Sequence, residues 1–80
     1  MKIPVIKKLV ENHSLEELLE AEKAIVDGKS PAIEIAGDDE GEQLTHALAA
    51  IEIVSSMQVN EIPMAQALRN YSQRVRNSIS

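Results

Sequence analysis

The sequence contains no cysteine, which excludes disulfide cross-links, thiolate metal sites and thiol redox chemistry. Aromatic residues are almost as scarce, with Tyr71 the single Phe, Tyr or Trp in 80 residues. Stacking on nucleobases needs several rings, and strand-rich cores draw on aromatic and β-branched side chains, so the composition speaks against both. No apolar run approaches the roughly 18 to 20 residues that cross a bilayer. The opening run Ile3-Pro4-Val5-Ile6 is flanked by Lys2, Lys7 and Lys8, which cut it far short of a secretory signal core. A soluble protein of the cytoplasm, without membrane contact, is expected.

What is present is Ile, Leu, Val and Ala in quantity, a mixture suited to closely packed helices. A chain this short is expected to form one helical domain over residues 1–80. Its modest core leaves only a few kcal/mol of net stability, so a supplement is anticipated. Without cysteine, that supplement is a metal or a partner.

The formal net charge of −5 conceals three blocks. Residues 1–10 carry three lysines and no acid, and residues 62–80 carry three arginines and no acid. All 13 acids fall between residues 11 and 61, against Lys23 and Lys29, a net −11. Basic ends and an acidic centre attract one another.

Four helices are predicted. Pro4 suits a first helical position, and Val5, Ile6, Leu9 and Val10 form one apolar side of a short helix ending near Glu11. Ser14 and Glu17 then make a capping box for a helix over 15–27, which carries Leu15, Leu18, Leu19 and Ile25/Val26 and stops at Asp27-Gly28. Ser30-Pro31 breaks the pattern, and Ala32-Ile33-Glu34-Ile35-Ala36 alternates with a period of two. This segment reads as extended, either lying over the helices or pairing with the same segment of a second subunit. The acids at 38–42 suit the positive end of a long helix over about 39–58. A last helix over 63–79 starts at Pro63 and shows a stripe of Met64, Ala67, Leu68, Tyr71, Val75 and Ile79.

The long helix has two apolar faces. Leu44, Ala47, Leu48, Ile51 and Val54 lie together and read as ordinary core. His46, Ala50, Ile53 and Met57 lie on the other side and read as surplus, hence as an interface with a second copy. Glu52, the single charge between Gln43 and Asn60, is placed on a narrow polar strip beside Thr45 and Ser56, with Arg69 or Arg74 as its partner if it is buried.

The opening Lys2-Ile3-Pro4-Val5-Ile6-Lys7-Lys8-Leu9, the stretches Gly41-Glu42-Gln43-Leu44-Thr45 and Ala50-Ile51-Glu52-Ile53, and the closing Arg74-Val75-Arg76-Asn77-Ser78-Ile79 together resemble an uncharacterised family of short helical bacterial proteins. The resemblance covers most of the chain outside residues 28–40 and implies a helical fold. It implies no activity, cofactor or catalytic residue.

Candidate chemistry is thin. Glu42 and His46, four apart on one helix, can touch a common metal ion, but a third ligand must come from His13, from an acid at 38–40 or from another subunit. The plainer reading makes Glu42 part of an acidic first turn and His46 a packed or hydrogen-bonded ring. The acids at 38–42 lack the alternation of a calcium loop. No serine stands in a nucleophile elbow, and His13, before the cap serine, is expected to face solvent. Neither a catalytic residue nor a cofactor is expected. Lys7, Lys8, Arg69, Arg74 and Arg76 are the cations available to nucleic acid, and the overall acidity opposes that use.

The expected architecture is all-α, a small bundle of three main helices plus a short N-terminal one, assembled as a homodimer or higher homo-oligomer. The expected role is that of a non-enzymatic interaction protein, with an unidentified protein partner also possible. A metal- or ligand-binding protein using Glu42 and His46, and a small DNA-binding regulator, are the alternatives.

Overall fold

The computed structural model describes residues 2–79, with side chains described up to Asn77. Four helices follow in order: α1 (Ile3–Asn12), α2 (Leu15–Val26), α3 (Glu40–Asn60) and α4 (Met64–Ile79). No strand occurs among the described residues. The all-helical expectation therefore holds, and each helix lies within two residues of its predicted bounds. Ile79, the last member of the predicted α4 stripe, lies outside the described side chains.

Local chemistry sets the helix ends. Ser14 Oγ accepts from the Glu17 N–H at 3.2 Å, and the Glu17 carboxylate accepts from the Ser14 N–H at 3.0 Å, which satisfies two end groups of α2 at once. At the other end Gly28 takes φ +76°, and the Lys29 N–H reaches the Ala24 carbonyl at 2.8 Å. This is the left-handed stop that Asp27-Gly28 predicts. The α3 start is a variant of the same box. Asp39 Oδ1 accepts from the Glu42 N–H at 2.7 Å, while the Glu42 carboxylate accepts from the Asp38 N–H at 2.9 Å. The α3 stop differs from what the residues suggest. Glu61 takes the left-handed conformation at φ 51°, although Asn60 beside it is the residue type that tolerates it better.

α3 is the hub. α1, α2 and α4 each pack on it and hardly on one another. One cluster joins Ile6 and Leu9 of α1, Leu18, Ala21 and Ile25 of α2, Ala47, Ala49, Ala50, Ile53 and Val54 of α3, and Ala67 of α4. Three alanines in the middle of α3 give its neighbours a narrow surface to approach.

Residues 27–39 form a strap between α2 and α3. Ile35 is buried in the core and Ile33 packs against it, while Ala32, Glu34 and Ala36 are exposed. The period-two pattern thus marks a segment that covers its own helices. Gly37 brings the strap hard against α3: a Cβ there would stand 2.8 Å from both Cγ and the backbone nitrogen of Gln43.

Candidate functional site

The residues marked as a surplus face lie inside the molecule. His46 and Ala50 are fully buried and Ile53 is 1% exposed, all within the single chain, and Met57 is partly buried against the same cluster. The expected core face of α3 is covered only in part: Ala47 and Val54 are buried as expected. Leu48, expected in the core, is 47% exposed, and Leu44 and Ile51 on its flank are half-buried. A helical wheel gives the angle between the faces but not which one the neighbouring helices cover. α2 repeats the pattern: Leu15, Leu19 and Val26 share a flank, with Leu19 45% and Val26 63% exposed. Val59, on the outer side of α3, is also exposed.

His46 is the one buried polar side chain among the described residues, and its ring joins three segments. Nε2 accepts from the backbone N–H of Lys2 at 2.9 Å, and Nδ1 lies 2.7 Å from the carbonyl oxygen of Ala36. A backbone N–H only donates and a carbonyl only accepts, so the pair specifies the neutral ring with its proton on Nδ1. Both nitrogens are thereby committed to backbone groups.

Glu42 is committed too, to the Asp38 N–H. The proposed metal pair is therefore not presented to a common ion, and among the described residues no group of three His, Cys, Asp or Glu side chains is arranged to hold one. His13 is half-buried at the α1–α2 corner, contrary to its expected exposure. Its Nδ1 makes no hydrogen bond and stands 3.6 Å from a Glu17 carboxylate oxygen. The Ser14 N–H bond to the Glu17 carboxylate holds that group below its ordinary range.

Three depressions mark the surface of the described residues, one of about 310 Å³ between the end of α2, the strap and Gln43 of α3. A cleft of about 330 Å³ lies where α1 meets the strap, with Val5 and Leu9 as apolar lining and Lys8, Asn12, His13 and Glu34 as polar lining. A groove of about 250 Å³ between α3 and α4 is lined by Glu52, Ser56, Asn60, Asn70, Tyr71 and Arg74. Glu52 is exposed on the polar strip, as expected, and pairs there with Arg74, one of the two partners anticipated for a buried Glu52. The Arg74 guanidinium lies 5.9 Å from the centre of the Tyr71 ring. Partial burial, then the nearby Glu52 charge, push the Tyr71 hydroxyl above its ordinary range. No helix among the described residues is long and apolar enough to cross a membrane.

Fold and site together define an all-helical protein organised around a buried histidine. The chain belongs to DUF6952, a family of unknown function whose model matches residues 1–80. The expected membership in an uncharacterised family of short proteins is met. No curated protein and no solved structure matches the chain.

Proposed function

We propose that the protein is a non-enzymatic helical interaction module that pairs with a second copy of itself through the apolar flanks of α2 and α3. The carrying observation is the exposure of Leu19 and Val26 on α2 and Leu48 on α3, large apolar side chains on two helices that pack together. Area supports the same reading. A folded monomer of 8.8 kDa exposes about 4800 Å² by the general mass relation, whereas this chain exposes 5270 Å². Covering such side chains contributes about 25 cal/mol for each Å² removed from water.

Charge favours a like partner. Among the described residues Arg74–Glu52 is the ion pair between a permanently charged cation and an acid, and Lys2, Lys7, Lys8, Arg69 and Arg76 all stand exposed. A second copy offers these cations an acidic middle segment, and offers its own ends in return. The expected seat of association is therefore Leu19, Val26 and Leu48, in place of His46, Ala50, Ile53 and Met57.

The test is the mass in solution of the wild-type chain and of Leu48→Glu, by light scattering or sedimentation, with helicity followed by circular dichroism. The wild type should be dimeric or larger, and Leu48→Glu should be a folded monomer. A wild-type chain that remains monomeric at high micromolar concentration overturns the proposal, as does a Leu48→Glu variant of unchanged mass.

A further inference from the structure

The ring of His46 sits where the N-terminal segment, the strap and α3 meet, and its two hydrogen bonds demand opposite roles of its nitrogens. We propose that His46 is an acid-sensitive latch: proton uptake at Nε2 releases the Lys2 N–H and unseats α1 from α3.

The argument is one of valence. Neutral imidazole offers one donor and one acceptor, which is what the Ala36 carbonyl and the Lys2 N–H require. The imidazolium offers two donors, so the Lys2 bond and a proton on Nε2 cannot coexist. Protonation then sets two N–H groups against each other at a fully buried site, where an unpaired polar group is costly and a charge more so. No neighbouring charge relieves this. The charged residues of the segments joined at the ring are Lys2 and Lys7, Lys8 and Glu11 of α1, Asp27, Lys29, Glu34, Asp38 and Asp39 of the strap, and Glu40, Glu42 and Glu52 of α3. All are exposed except half-buried Glu42, whose carboxylate is turned to the Asp38 N–H. Among the described residues no acid forms an ion pair with His46.

Lys2 leads directly into α1, whose Ile6 and Leu9 complete the core over α3. Losing that bond loosens the attachment of the whole helix. What opens is the surface around His46, to which the Lys2 and Ala36 backbones are joined.

The experiment is a nitrogen-edited NMR titration of the full chain from about pH 8 to about pH 5, the range over which imidazole side chains exchange their proton. It follows the His46 ring nitrogens and the Lys2, Ile6 and Leu9 amides. At the upper end the ring should show the Nδ1–H tautomer. As it takes up a second proton, the Lys2 amide should shift and lose its protection from exchange, together with Ile6 and Leu9 and ahead of the α2 amides. His13→Gln should retain this response with His46 as the single histidine. His46→Gln, which presents an acceptor and a donor that do not titrate, should abolish it. A ring that protonates while the Lys2 amide stays protected overturns the latch, and so does a ring that stays neutral until the whole chain unfolds. Should His46→Gln fail to fold, the His13→Gln titration decides alone by the same two outcomes.

Discussion

The backbone N–H of Lys2 donates to Nε2 of His46 across 44 positions of sequence, and this is the hydrogen bond that ties the N-terminal segment to the hub helix. Replacing the ring leaves the Lys2 N–H and the Ala36 carbonyl without their partner and opens a void beside Ala50 and Ile53. His46→Ala should therefore cost about 2–4 kcal/mol, measured by urea unfolding at pH 7.5. A loss below about 0.5 kcal/mol, the scale of an ordinary surface substitution, would show that water replaces both bonds.

Gly37→Ala tests how tightly the strap is drawn in. The new methyl meets Gln43 at 2.8 Å, and one of the atoms it meets is backbone, which cannot swing aside. A loss of about 1–3 kcal/mol is expected, the usual range for overpacking. Ala32→Gly, on the exposed side of the same strap, serves as the comparison. Equal effects from both would mean that the strap is not closely apposed to α3.

Glu61→Gly should act in the opposite direction. The residue sits at φ 51°, where a side chain costs about 1–2 kcal/mol and glycine nothing. Part of that gain is offset by the greater freedom of glycine in the unfolded chain, which leaves a net stabilisation of about 0.5–1 kcal/mol. An unfolding midpoint at or below that of the wild type would contradict the assignment of strain to this turn.

Glu17 gives α2 an acid limb. Its carboxyl is held below the ordinary 4.5 chiefly by the Ser14 N–H bond. A folded value below the unfolded one means that the contribution is complete above the ordinary carboxylate range. It is lost as pH falls through the lower, folded value. Glu17→Gln should flatten the stability–pH curve in that acidic window and lower stability near neutrality, where the lost contribution was complete. An unchanged acid limb in the variant would remove Glu17 as its source.

Much of the fold is legible in the residues, because helix ends are decided locally. Ser14 with Glu17, Asp27-Gly28 and Pro63 each act within one turn, and each predicted end lies close to the observed one. The faces of α3 are another matter. His46-Ala50-Ile53-Met57 and Leu44-Ala47-Leu48-Ile51-Val54 are both apolar, and which members of each are covered depends on where the other segments return. Nor could the role of His46 be read from spacing. Its partners are backbone groups of Lys2 and Ala36, which leave no side-chain signature. The alternation of Ile33 and Ile35 correctly marks a stretch with one side inward, although Ala32 and Ile33 form a bend, but a period of two does not say whose helices lie beneath it.

The dependence of every outer helix on α3 also bears on how the chain is made. α1 leaves the ribosome before α3, and the surface that receives it does not exist until the hub has been synthesised, at roughly 5–20 residues per second. For those seconds Ile6 and Leu9 have nowhere to dock. α1 is thus made well before it can find its place, and the three lysines beside that apolar edge keep it hydrated during the wait.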